Sequence, residues 1–230
     1  MAIFLDTGNL QDIERFLKMG VIRGVTTNPS ILLKSGVTGG KKAIKARSIE
    51  IAKMIAPYPL SVEVTTNDYG QMISQAREYA KWAENIIVKI TVHGPKGEME
   101  NFEAVHLLET KDNIRINMTA MMSAQQCLLG ALAGATYVSL FGGRINDMGT
   151  NCVNEIGKAR RVIDAQDLKA KIMIGSTREV LNVIEWLDAG AHIVTVVPEI
   201  LKKLIVHPYS KETVQMFLDD ARKAESIIGK

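Results

Sequence analysis

No apolar run in this sequence is long enough to cross a bilayer, and the N-terminus meets an acid at Asp6 before any basic or extended hydrophobic segment has formed. Neither a membrane span nor a signal peptide is expected. Cysteine is scarce. Cys127 and Cys152 form neither a metal-type spacing nor a disulfide framework, and Cys127, among Leu128, Leu129 and Ala131, reads as a small core residue. The four histidines, His93, His106, His192 and His207, lack ligand spacing, so no metal is expected. A nucleophile elbow is missing, which removes a Ser-His-Asp hydrolase from consideration. Strong charge is missing too: the net charge is +3 and the basic residues are scattered, which argues against nucleic acid as a partner. Gly39-Gly40-Lys41-Lys42 is no phosphate loop, because the first glycine is misplaced and Lys42 stands where Ser or Thr is needed. The glycosylation-like Asn117-Met118-Thr119 falls in an expected core strand. No linker rich in Pro, Gly or Ser divides the chain, so residues 1–230 read as one domain with a helical extension at about 211–228. Together these features describe a reduced, cytoplasmic protein.

What is present is an alternation. Short apolar runs at 3–6, 24–27, 60–64, 86–90, 114–118, 137–141, 172–175 and 193–197 read as strands. Amphipathic stretches follow them, for example at 10–19, 41–55, 69–82, 124–132 and 178–187. Gly20, Gly134 and Gly190 stand at helix C-cap positions. Eight such units in a chain of this length indicate a parallel (β/α)₈ barrel, with a doubly wound open sheet as the alternative. In a barrel, the C-terminal strand ends converge on one face.

Lys89, late in the run Asn85-Ile86-Ile87-Val88-Lys89-Ile90, stands at such an end. One reading is a lysine that snorkels to solvent. The other is an amine in a dry pocket, where its neutral, nucleophilic form is favoured. Asp6 and Glu63 also interrupt apolar strands, and a buried carboxylate needs a partner such as Lys89. Further polar strand ends are Thr26-Thr27-Asn28-Pro29-Ser30, Asn117 with Thr119, Ser139 with Phe141, and Gly175-Ser176-Thr177-Arg178. Thr27, Ser30 and Thr177 read best as caps or loop ties. Arg144, Ser176 and Arg178 suggest an anion site, with a helix beginning at the 175–178 turn and its free N–H groups facing the ligand.

These motifs together resemble the transaldolase family in its short-subunit form. The segments GVTTNPSIL at 24–32, SVEV at 61–64, VKI at 88–90, INMT at 116–119 and SLFGGR at 139–144 look like the family's motifs, in order, over nearly the whole chain. The resemblance implies a (β/α)₈ barrel, no metal or organic cofactor, a homo-oligomer with 214–228 as a contact helix, and Lys89 as the Schiff-base lysine. It implies Asp6, Glu63 and Thr119 as the other catalytic residues, with Thr26, Asn28, Asn117, Ser139 and Phe141 around the substrate and Arg144, Ser176 and Arg178 on its terminal anion. A close branch, the fructose 6-phosphate aldolases, typically has Gln at the position of Glu63 and Tyr at that of Phe141, so both positions here look like transaldolases.

The chain departs from the family pattern at Thr91 and Leu140, where proline is usual, and at Gly142 and Asn146. The segment 92–101 also appears longer, and it is expected to border the substrate. The donor implied is fructose 6-phosphate or its sulfonate analogue 6-deoxy-6-sulfofructose, and the acceptor an aldose phosphate. Simple aldolase cleavage and a silent sugar-phosphate-binding barrel are the alternatives.

Overall fold

The computed structural model describes residues 2–228, with side chains to 225. Eight parallel strands close into a barrel in sequence order. They are β1 (Ala2–Asp6), β2 (Val25–Thr26), β3 (Leu60–Glu63), β4 (Ile86–Thr91), β5 (Ile116–Met121), β6 (Tyr137–Phe141), β7 (Lys171–Gly175) and β8 (Ile193–Val196). The outer helices are α1 (Leu10–Lys18), α2 (Pro29–Lys34), α3 (Gly40–Ile55), α4 (Tyr69–Ala80), α5 (Glu100–Thr110), α6 (Ala124–Leu132), α7 (Gly142–Asp147), α8 (Cys152–Ala165), α9 (Val180–Asp188), α10 (Pro198–Ile205) and α11 (Pro208–Ile228). The barrel is thus a single-domain (β/α)₈ fold, and the open-sheet alternative falls because β1 pairs with β8.

Helix boundaries follow local chemistry. Asn9 caps α1 by accepting from the amides of Gln11 and Asp12, and Ile13 and Phe16 turn its apolar stripe inward. Gly20, Gly134 and Gly190 all have positive φ, as their C-cap reading requires. Both cysteines are free and buried. No helix among the described residues is long and apolar enough to cross a membrane.

Strand periodicity explains how the barrel is filled. Phe4, Ile87, Tyr137, Met173 and Ile193 form a separate buried cluster inside the barrel. Side chains two residues apart share a face. One step up from that cluster therefore come Asp6, Lys89, Ser139, Gly175 and Thr195, at the C-terminal ends of the same five strands. The apolar layer closes the bottom of the barrel, and the polar layer rests on it.

Several boundaries move by one to three residues from expectation, and two of these shifts bear on the cavity end of the barrel. β5 runs to Met121 and not 118, which brings Thr119 into the strand. α9 begins at Val180, two residues later than expected.

Candidate active site

A cavity of about 620 Å³ opens at the C-terminal end of the barrel. Asp6, Thr26, Asn28, Lys89, Asn117, Thr119, Ser139, Phe141, Arg144 and Ser176 line it. Glu63 and Arg178 do not.

Lys89 is the best-enclosed cation of the group, its side chain only 7% exposed. Its Nζ lies 3.2 Å from Glu63 Oε2 and donates to the Thr27 carbonyl at 3.2 Å. Strand register makes the first contact unavoidable, because Glu63 and Lys89 are paired positions on β3 and β4. Glu63 thus reaches the site through the lysine. Asp6 does not form that ion pair. Its carboxylate accepts from Thr26 Oγ1 at 2.5 Å. Burial pushes the Asp6 carboxyl above the usual carboxylate range, and Glu63 adds to this. The nearby Lys89 charge and the Thr26 hydrogen bond pull the other way without cancelling it.

Asn117 and Ser139 form a buried polar pair: Ser139 Oγ donates to Asn117 Oδ1 at 2.5 Å, and Asn117 Nδ2 donates to Ser61 Oγ at 3.1 Å. Asn28 caps α2 by accepting from the Ile31 amide at 2.8 Å. Its side-chain N–H groups stay available to the cavity that it lines. Thr119 is buried and its hydroxyl has no partner. It stands at an irregularity of β5, where the register with β6 shifts between Met118 and Met121 and Ala120 takes φ 61°. Bulges beside a site re-aim a side chain, and a buried hydroxyl without a partner is one that a bound water or ligand would satisfy.

The anion side differs in part from the sequence reading. Arg144 lines the cavity, stacks 5.3 Å over the Phe141 ring, and has no carboxylate partner among the described residues. Ser176 also lines the cavity, with φ 60°. The helix expected to begin at the 175–178 turn begins later, and its first amides are not free to face a ligand. The amides of Arg178 and Glu179 both donate to Asn182 Oδ1, at 3.2 and 3.0 Å. Arg178 itself pairs with Asp147 at 2.9 Å, and its side chain is 54% exposed. Two glycines hold these loops together. A methyl group on Gly143 would sit 1.9 Å from the Ser176 carbonyl oxygen, and one on Gly142 would strike the Trp186 ring at 2.7 Å.

The segment 92–101 does not line the cavity. It folds on itself: Gly94 N donates to Glu98 O, Lys96 N donates to the Glu98 carboxylate, and Asn101 ties back to Thr91. Thr27 and Thr177 tie to backbone carbonyls on neighbouring strands, at Ser61 and Thr195.

Sequence reasoning overlooked Thr195, which lines the cavity and contacts Thr26 Oγ1 at 2.6 Å. The signal was there, since Thr195 is the one polar residue in β8. Asp12, Lys34 and Glu199 at the cavity wall were also overlooked. Among the described residues, no three His, Cys, Asp or Glu side chains come together in a way that could hold a metal ion.

Comparison with known proteins agrees with this geometry. The family model described as Transaldolase/Fructose-6-phosphate aldolase matches residues 3–228. A probable transaldolase of Dehalococcoides mccartyi is 35% identical over 225 residues, covering 98% of this chain and 100% of that one. Probable transaldolase 2 of Listeria monocytogenes is 39% identical over 220 residues, covering 96% and 95%. Among solved structures, thiamine phosphate pyrophosphorylase from Pyrococcus furiosus superposes with a TM-score of 0.60 at 12% identity, covering 85% of each chain. That likeness shows the barrel alone.

Proposed function

The chain belongs to the transaldolase/fructose-6-phosphate aldolase family, and from that premise we propose that it is a Schiff-base transaldolase. It would move a dihydroxyacetone unit from a ketose with a terminal oxyanion to an aldose phosphate. The observation that carries this reading is the Lys89 amine, enclosed at the cavity wall with Glu63 at 3.2 Å.

In this reading Lys89 passes a proton to Glu63, 3.2 Å away, and the freed amine attacks the ketose C2 carbonyl. Glu63 and Thr119, through a bound water, pass the protons that turn the adduct into an iminium and release water. The unpartnered Thr119 hydroxyl supports such a water. Asp6 then takes the C4 hydroxyl proton, and the C3–C4 bonding pair flows into the iminium. An aldehyde leaves, and a three-carbon enamine stays on Lys89. A second aldehyde captures the enamine, Asp6 returns its proton, and hydrolysis frees the new ketose. A Brønsted base needs a pKa near its working pH, and burial moves Asp6 in that direction. Asn28, Asn117 and Ser139 hold substrate hydroxyls, with Thr26 behind Asp6.

Arg144 and Ser176 take the terminal phosphate or sulfonate, and Phe141 steadies the arginine plane. Arg178 joins them only on leaving Asp147. Glu63 favours transfer over simple aldol cleavage, because a carboxylate accepts a proton and an amide does not. The substrate class fits the cytoplasmic setting expected from the composition. We also propose a homo-oligomer held through α11, whose Val214, Phe217 and Leu218 are all exposed.

The test is covalent. A ketose donor plus borohydride should leave a reduced three-carbon unit on Lys89, read by peptide mass mapping. Lys89→Met should abolish both adduct and turnover. An adduct on another residue, or none, ends the reading. Turnover beyond one aldehyde per Lys89 only in the presence of an acceptor aldehyde marks a transaldolase, whereas free dihydroxyacetone without one marks an aldolase.

A further inference from the structure

Asp6, Thr26 and Thr195 form a hydrogen-bonded row across the junction where the barrel closes. Thr26 Oγ1 donates to Asp6 Oδ1 at 2.5 Å and lies 2.6 Å from Thr195 Oγ1. Thr26 and Thr195 are both buried. A threonine hydroxyl has one proton. While Asp6 is ionised, Thr26 spends that proton on the carboxylate, so the Thr195 hydroxyl must be the donor in the second bond. With Thr195 as donor, both hydroxyl protons of the row point towards Asp6. The Thr195 backbone carbonyl accepts from Thr177 Oγ1 at 2.9 Å, which anchors this point of β8 independently of its side chain.

From this row we infer that Thr195 is a positioning residue for the proposed reaction: its hydroxyl holds Thr26 as a donor to Asp6 and so keeps Asp6 ionised for proton abstraction. The inference rests on the transaldolase reading above. When Asp6 takes a proton from substrate, both hydroxyls can reverse. Asp6 then donates to Thr26, and Thr26 donates to Thr195. No proton leaves the row, and no heavy atom has to move. The reversed row also bonds the neutral acid, but more weakly, because hydrogen bonds to an ionised carboxylate are the stronger ones; the net effect of the row is to favour the ionised form. Hydrogen bonds in series strengthen one another, so an upstream donor acts on a carboxylate that it does not touch.

The charged groups facing Asp6 are Lys89 from β4 and Glu63 from β3. Asp12 on α1, Lys34 on α2, Arg144 on α7 and Glu199 on α10 also line the cavity. β2 and β8, which flank β1, have no titratable side chain. A change confined to Thr195 therefore leaves every charge around Asp6 in place.

The experiment compares Thr195→Val and Thr195→Ser with the wild type. Valine keeps the shape and removes the hydroxyl, and serine restores the hydroxyl. The acid limb of kcat/KM for donor cleavage should move to higher pH by about half a unit in Thr195→Val, and Thr195→Ser should return it. Borohydride trapping on Lys89 should proceed equally in all three. In parallel, the Asp6 carboxyl is titrated by carbon NMR in enzyme labelled with [¹³C]aspartate. That measurement needs no turnover and should show the same displacement. An unmoved acid limb and unmoved Asp6 titration in Thr195→Val overturn the inference, as does a serine variant displaced as far as valine. If these fail while wild-type Lys89 is still trapped as an imine, the transaldolase reading stands and Thr195 alone is refuted. If wild-type Lys89 forms no imine, the inference falls together with that reading.

Discussion

Lys89 and Glu63 are register partners on adjacent strands, with Nζ and Oε2 3.2 Å apart and the lysine side chain only 7% exposed. A pair so enclosed serves poorly as a source of stability, because the cost of dehydrating both charges offsets much of their attraction. Its position at the cavity end of the barrel suits the proton transfer proposed for it. Glu63→Gln keeps the shape and removes the base. It should slow imine formation and hydrolysis at Lys89, measured by single-turnover trapping, and shift product towards free dihydroxyacetone. Wild-type trapping rates in this variant would make Glu63 structural.

Asp6 provides a pH test of stability. Its folded pKa lies above the ordinary value of 3.8. For a raised carboxyl, the folded state binds the proton more tightly. The wild type is therefore favoured below 3.8, loses that advantage as pH rises towards the folded pKa, and pays a constant penalty above it. Asp6→Asn should thus melt at a higher temperature than wild type near pH 7, with a gain that shrinks on acidification. The same variant should trap imine on Lys89 but fail to cleave C3–C4. A melting temperature lowered at neutral pH would mean that Asp6 is held as a stabilising ion.

Arg144 stands over Phe141 without a carboxylate partner among the described residues, while Arg178 is engaged with Asp147. Losing a charge-assisted bond costs on the order of 1.5–3 kcal/mol, or roughly ten- to a hundred-fold in kcat/KM. Arg144→Ala should lose that much with a phosphate or sulfonate donor and far less with a neutral ketose. Arg178→Ala should have the smaller effect of the two. Equal losses for Arg144→Ala on charged and neutral donors would assign Arg144 to the fold.

The loop contact behind Arg144 can be tested separately. Gly143→Ala places a methyl group 1.9 Å from the Ser176 carbonyl oxygen, a distance no structure tolerates without a shift. The shift must part α7 from the Ser176 loop. KM for an anionic donor should rise while the rate of imine trapping with a neutral ketose holds. Unchanged KM for the anionic donor would show that Arg144 and Ser176 do not act together.

α11 presents Phe217, 61% exposed, beside exposed Val214 and Leu218. An apolar face of this kind needs cover. Light scattering should give the wild type a mass well above one chain. Phe217→Glu combined with Leu218→Glu should reduce it towards one chain without loss of helical signal. A monomeric wild type would refute the oligomer.

The barrel and its polar upper layer were legible in the amino-acid order. Alternation of strand and helix is local, and a strand's inward parity repeats every second residue. Asp6, Lys89 and Ser139 could therefore be placed at strand ends, and the glycine C-caps recognised, without coordinates. Three features were not legible. Thr195 meets Thr26 across 169 residues of sequence, through the pairing of β8 with β1 that closes the barrel. Nothing in the spacing along the chain encodes that stagger. Arg178 is drawn to Asp147 and α9 starts two residues late because Asn182 satisfies the turn's amides. The segment 92–101 leaves the Lys89 strand yet stays out of the cavity, because Glu98 supplies both acceptors that fold it back. Local periodicity sets which face a side chain takes. Which distant side chain it then meets is decided by barrel closure and by competition among hydrogen-bond partners, and both exist only once the chain is folded.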